Sequence, residues 1–219
     1  MTKLVEVVRF ALNGGIVKDI SFWSTQKVVP VVTIYDSSQA VKLAQTLIAA
    51  GLSKIEITLR TEAALQAITL IAQEVPEAIV GAGTVLNTSM AEEALHAGAQ
   101  FFVSPGITPS LLQYFKVSSI PFLPGCSTVS EAMYLLENDV NVAKFFPAED
   151  SGGLNYLKSI SSVLATMKFC PTGGVNVGNY KNYLDLPNVV CVGGSWVAPS
   201  KEITANNWEL IGAQARATL

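Results

Sequence analysis

The sequence predicts an α/β protein of the (β/α)8 TIM-barrel class, preceded by an N-terminal helix. Three observations carry this. Short apolar runs alternate with helical patterns eight times, a chain of 219 residues suits one barrel, and no GxGxxG fingerprint opens the first unit. Strands separated by helices run parallel, and closing them into a barrel removes the two edges that an open doubly wound sheet exposes. A single domain over 1–219 is expected, because no linker, low-complexity tract or charge block marks a second.

The elements follow in order. A leader, 1–27, reads as helical up to Asn13-Gly14-Gly15 and receives no catalytic assignment. VVPVVTI (Val28 to Ile34) is followed by SSQAVKLAQTLIAAG, where Ser37 or Ser38 can cap a helix that Gly51 ends. KIEITL (Lys54 to Leu59) precedes TEAALQAITLIAQEV, and AIVGAGTV (Ala78 to Val85) precedes NTSMAEEALHAG. FFVSPG (Phe101 to Gly106) leads to TPSLLQYFK, and PFLPG (Pro121 to Gly125) to TVSEAMYLLEN. VAKFFP leads to LNYLKSISSVLATM, KFCPTGG to NVGNYKNYLDL, and VVCVGGSWV to a last helix around NWELIGAQA.

Composition narrows the function. Half of the residues are hydrophobic and 14% are charged, with a mean hydropathy of +0.40, which suits buried strands or subunit contacts. No apolar stretch reaches the roughly 18 to 20 residues of a membrane span, and the start lacks a cleavable signal, so a cytoplasmic location and no membrane partner are expected. A net charge of −3 with scattered Lys and Arg offers no basic stripe for nucleic acid. Cys126, Cys170 and Cys191 lack CxxC spacing and sit in apolar runs, which reads as inert core thiols. The one histidine, His96, reads as an exposed helix residue; it excludes a multi-histidine zinc site and argues against a Ser-His-Asp triad.

Reacting groups in such barrels gather at the C-terminal ends of the strands. In KIEITLRT, Glu56, Thr58 and Arg60 share one face, and in a barrel that face points inward. Glu56 is then either an interior proton shuttle or the partner of Arg60 in a structural ion pair. In VAKFFPAED, Lys144 and Phe146 share a face, so lysine and glutamate can meet across the barrel. An amine in dry, aromatic surroundings is pushed toward neutrality; bringing it from about 10.4 to near 7 takes roughly 4 to 5 kcal/mol. A neutral amine can attack a ketone to form an imine. Lys144 can otherwise reach the mouth or pair with Glu149.

CPTGGV and VGGSWV place Gly-Gly pairs after strands seven and eight, where backbone N–H groups can converge on a phosphate. Gly173, Gly174, Gly194 and the Ser195 hydroxyl are the candidate donors, with Gly193 assisting the turn. GAGTV puts Thr84 at the end of strand three and SPGIT puts Pro105 at the end of strand four. Thr84 is either a turn residue or a partner of Arg60 on a substrate carboxylate, which a guanidinium matches bidentately.

EITLRT, GAGTVL, SPG, KFFPAE, PTGG and GGSW, in this order and at these strand ends, resemble the 2-keto-3-deoxy-6-phosphogluconate (KDPG) and 4-hydroxy-2-oxoglutarate (KHG) aldolases, class I lyases. The resemblance runs from about Val28 to Val197. It implies Lys144 as the Schiff-base lysine, Glu56 as acid/base, Arg60 and Thr84 as carboxylate binders, and Phe146 as part of the pocket wall. It also implies Thr172 beside the substrate and Gly173, Gly174, Gly194 and Ser195 around a phosphate. No metal or organic cofactor is implied, the partner is a phosphorylated keto acid, and the assembly is a homotrimer. Relatives acting on the galactonate epimer tend to carry an aliphatic residue where this chain has Thr172, which favours the gluconate substrate. An isomerase, or a silent barrel binding a phosphorylated metabolite, is the competing reading.

Overall fold

The computed structural model describes residues 20–118 and 120–219. The helix expected up to Asn13-Gly14-Gly15 lies outside them. A short helix, α1 (Ile20–Ser24), leads into nine strands: β1 (Val28–Val32), β2 (Lys54–Thr58), β3 (Ile79–Gly83), β4 (Phe102–Val103), β5 (Phe122–Leu123), β6 (Gly125–Cys126), β7 (Val142–Phe145), β8 (Lys168–Pro171) and β9 (Val192–Gly194). The intervening helices are α2 (Ala40–Ala49), α3 (Ala64–Glu74), α4 (Thr88–His96), α5 (Pro109–Ser118), α6 (Val129–Glu137), α7 (Gly153–Ile160) and α8 (Tyr180–Leu184). Two more, α9 (Ser200–Thr204) and α10 (Trp208–Arg216), follow β9. The sequence pattern anticipates α10 but not α9.

Among the described residues every pairing is parallel, in a curled six-stranded ladder ordered β5-β4-β3-β2-β1-β9 and a three-stranded one, β6-β7-β8. The fifth expected strand is split by Pro124, which has no N–H to donate. Its β5 half pairs with β4 and its β6 half with β7, and the Pro124 carbonyl accepts from Lys144 N at 2.8 Å. On the other side, β8 meets the segment before β9, where Phe169 N donates to Asn188 O at 2.8 Å and Val190 N to Phe169 O at 3.0 Å.

Alternation along the strands sorts their side chains into two layers. Val28, Ile55, Ile57, Ala143, Phe145, Phe169 and Val192 pack under the helices in the larger core. Val29, Phe101, Val103, Leu123, Val142, Cys170 and Cys191 form a smaller cluster on the concave face, closed over by Trp23 of α1. Trp23 and Phe101 meet edge to face, 5.6 Å between ring centres. The concave face therefore begins apolar at the N-terminal ends of the strands. It turns polar two residues further along, where Val142 gives way to Lys144 and Cys170 to Thr172.

Local signals hold with one correction. Gly51 follows α2 with φ +95°, as a helix-ending glycine does. The entry, however, is capped by Asp36, whose carboxylate accepts from Ser38 N at 2.9 Å; neither Ser37 nor Ser38 is the cap. A carboxylate one residue earlier spans the turn that precedes α2. At α6, Thr128 and Glu131 form a complete capping box. The three cysteines are buried and free, and His96 is an exposed end residue of α4. Burial pushes the Cys126 thiol up to about 12. A bond with Cys170, together with burial, holds Cys191 well above the usual thiol range. Both thiols are therefore kept from the reactive thiolate form.

Candidate active site

Lys144 and Glu56 meet across the concave faces. Lys144 Nζ lies 3.5 Å from Glu56 Oε1, and both side chains are 4% exposed. Two strands from different ladders, β7 and β2, bring together groups 88 residues apart in the chain. Lys144 Nζ also sits 5.2 Å from the centre of the Phe146 ring. The carboxylate occupies space that a glycine leaves open: a Cβ on Gly83, at the end of β3, would lie 2.1 Å from Glu56 Oε1. Glu56 is thus not the partner of Arg60. The alternative partner for Lys144, Glu149, is engaged elsewhere, accepting from the Tyr183 hydroxyl.

Arg60 stands exposed beyond the end of β2, and its Nε donates to Thr84 Oγ1 at 3.1 Å. Thr84 has φ +60°, a left-handed conformation uncommon for a non-glycine residue. That strained turn holds the hydroxyl against the guanidinium. Below them Thr58, buried, donates to Val32 O at 3.0 Å and lies 2.9 Å from Thr33 Oγ1. Pro105 is half-buried at the end of the β4 segment, packed so closely that a Cβ on Gly125 would lie 2.1 Å from its carbonyl oxygen.

Thr172 is buried at the end of β8, its hydroxyl 3.4 Å from Cys170 O. A Cβ on Gly193 would lie 2.3 Å from Thr172 Oγ1, so here too a glycine on the next strand makes room for a polar side chain. Gly173 and Gly174 follow with φ +95° and +77°, which glycine adopts without steric cost. Gly194 ends β9, and Ser195 beside it is exposed.

Lys54 is a second buried lysine that the pattern did not single out. It lies two residues before Glu56 on the same face of β2, at the apolar end of the concave side. Its ammonium is held by Phe22 O and Thr25 Oγ1 and lies 4.6 Å from the Phe22 ring centre. Burial pushes it down to about 8. The Gln26 amide completes this junction, donating to Val28 O and Lys54 O and accepting from Lys54 N, each at 2.9 Å. Lys54 shares the parity of Glu56 and could have been grouped with it; its partner is a main-chain carbonyl that no side-chain pattern reveals.

Among the described residues no cluster of His, Cys, Asp or Glu has the spacing of a metal site, and no helix is long and apolar enough to cross a membrane. The family model for the KDPG and KHG aldolases matches residues 20–214. The chain is 46% identical over 196 residues to the KHG/KDPG aldolase of Escherichia coli K12, covering 90% of this chain and 92% of that one. The KDPG aldolase of Legionella pneumophila, solved with pyruvate captured as a covalent carbinolamine, superposes with a TM-score of 0.88 at 43% identity, covering 91% of this chain and 97% of that one. The KDPG aldolase of Zymomonas mobilis ZM4, solved with 3-phosphoglycerate, gives 0.87 at 42% identity, covering 92% and 95%. A buried lysine facing a carboxylate within a curled parallel sheet and the agreement along nearly the whole chain lead to one assignment: the chain belongs to the KDPG and KHG aldolase family, a family of carbon–carbon lyases.

Proposed function

We propose that Lys144 and Glu56 carry a class I aldol cleavage of 2-keto-3-deoxy-6-phosphogluconate to pyruvate and glyceraldehyde 3-phosphate, with 4-hydroxy-2-oxoglutarate cleaved to pyruvate and glyoxylate as a second reaction. The observation that carries this is the 3.5 Å approach of Lys144 Nζ to Glu56 Oε1, both side chains buried, beside the Phe146 ring. Membership of the family removes the isomerase and the silent-barrel readings.

Glu56 takes a proton from the lysine, and Nζ attacks the C2 ketone. The carbinolamine loses its hydroxyl as water, with Glu56 returning the proton, and a protonated imine remains. Glu56, directly or through a water, then removes the C4 hydroxyl proton. The C3–C4 electron pair moves into the iminium, and the aldehyde departs. The enamine is protonated at C3, and water hydrolyses the new imine to release pyruvate and regenerate the amine. Arg60 and Thr84 bind the carboxylate at one end; Gly173, Gly174, Gly194 and Ser195 bind the phosphate at the other. Two anchors fix the bond that breaks, so remote binding orients the reacting atoms. Among the described residues the Gly173 and Gly174 amides donate to no protein acceptor, which supports their assignment to an anion.

Thr172 beside the substrate, with Pro105 and Phe146 lining the wall, favours the gluconate epimer. The two ladders, bridged at β5/β6 and at Phe169–Val190, read together as a closed (β/α)8 barrel forming one domain. A homotrimer in the cytoplasm, needing no metal or organic cofactor, is the assembly we assign to it.

Incubation with pyruvate and borohydride, followed by peptide mass mapping, tests the central step. Reduction should fix a three-carbon adduct on Lys144; an adduct elsewhere, or none, removes the assignment. Ser195→Ala should cost the phosphorylated substrate more than 4-hydroxy-2-oxoglutarate, and equal losses take Ser195 out of the phosphate site.

A further inference from the structure

The glycines after β8 are aimed from outside the site. Three successive carbonyls are tied down: Thr172 O accepts from Ala148 N at 2.8 Å, Gly173 O from Glu149 N at 3.1 Å, and Gly174 O from Asn176 Nδ2 at 2.9 Å and Asn179 Nδ2 at 3.3 Å. In a planar trans peptide the N–H points opposite to the C=O. Fixing these carbonyls therefore fixes where the amides of Gly173, Gly174 and Val175 point. The carbonyl ties of Thr172 and Gly173 come from the turn after β7, and that turn is itself fastened by the bond from the Tyr183 hydroxyl to the Glu149 carboxylate.

The packing around this bond is close. A Cβ on Gly174 would lie 2.4 Å from Glu149 Cγ, so the glutamate stem runs flat against the second glycine. A Cβ on Gly153 would lie 3.1 Å from the Tyr183 hydroxyl and 3.3 Å from Glu149 Oε1. Tyr183 on α8 is fully buried, whereas Glu149 belongs to an exposed turn. A free carboxylate beside two anion-binding amides would repel phosphate; held by the hydroxyl, it is drawn aside while its stem supports the loop.

We propose that the Tyr183–Glu149 bond is a strut that sets the aim of the Gly173–Gly174 amides, making Tyr183 a positioning residue for the phosphorylated end of the substrate. This rests on the phosphate assignment made above. Neither residue touches the reacting atoms, so the strut should act on binding of the phosphorylated substrate and leave imine chemistry alone.

The test compares Tyr183→Phe, Glu149→Ala and Glu149→Gln with the wild type. KM and kcat are measured for the phosphorylated substrate, and the rate of pyruvate trapping on Lys144 serves as a readout without phosphate. Loss of a hydrogen bond to a charged group corresponds to about tenfold. Tyr183→Phe and Glu149→Ala should each raise KM for the phosphorylated substrate by about that factor, with kcat and pyruvate trapping within about twofold of wild type. Glu149→Gln keeps a neutral acceptor for the hydroxyl and should raise KM by clearly less than Glu149→Ala does. Unchanged KM in Tyr183→Phe, or parallel losses in KM and in pyruvate trapping, overturns the strut. Should Tyr183→Phe fail to fold, the contrast between Glu149→Ala and Glu149→Gln decides: equal behaviour of the two overturns it. Inorganic phosphate as an inhibitor of the wild type separates the phosphate site from the strut. If it does not compete with the phosphorylated substrate, the phosphate assignment falls and the strut with it; if it competes and the variants behave alike, only the strut falls.

Discussion

At Gly83 the missing side chain is as important to the site as any that is present. An alanine there would place a methyl carbon 2.1 Å from Glu56 Oε1, too close for both to stay. The carboxylate would have to swing away from Lys144, and a displacement of about 1 Å costs on the order of a hundredfold in rate. Gly83→Ala should therefore lower kcat and slow pyruvate trapping together, while a thermal melt shows the fold retained. A second substitution addresses the pair itself. Lys144→Met leaves Glu56 buried without its cation, and breaking a buried pair from one side costs about 3 kcal/mol or more. Replacing both by apolar residues should recover much of that loss, which denaturant titration of the two single variants and the double variant will measure. At Thr172, change to Val removes the hydroxyl with little change of shape. The ratio of kcat/KM for the gluconate and galactonate epimers should move toward the galactonate one by about tenfold.

At the scale of elements, the strands were legible and their interruptions were not. Each apolar run became a strand within a few residues, because alternation and flanking glycines mark strands locally. Pro124 breaks the fifth strand into β5 and β6 because each half follows a different neighbour, and a neighbour is not visible in a local pattern. The same reasoning accounts for Lys54. Its parity was readable, but whether that lysine faced the mouth or the floor depended on a carbonyl from α1. The junction gives a pH prediction. Burial holds Lys54 at about 8 in the folded protein against 10.5 as its ordinary value. Between those values the unfolded chain binds more protons, so stability rises with pH through that window, and the full penalty stands below pH 8. Denaturation midpoints of the wild type, minus those of Lys54→Met, should climb between pH 8 and 10.5 and lie flat below. In α6, Thr128→Ala removes half of the capping box and should cost about 1 kcal/mol in urea unfolding.

For the molecule as a whole, the sequence and the folded chain agree most where one residue type had few alternatives. A lysine inside an apolar strand and a glutamate of matching parity could be paired on paper because alternation alone decides the face. The role of Glu149 escaped because its partner, Tyr183, lies 34 residues away and looks like any core aromatic. What made the site legible was period-two patterning; what hid its supports was that they are tertiary contacts between main chain and distant side chains.

Among the described residues, Trp23 and its aromatic neighbours Phe22 and Phe101 cover the apolar end of the concave face, away from the end that holds Lys144. In the binding mode proposed for the substrate, the fragment bearing the phosphate stands toward the uncovered end and leaves before the tethered three-carbon piece. With release in that order, inhibition by added pyruvate should be competitive with substrate whereas inhibition by the triose phosphate should not.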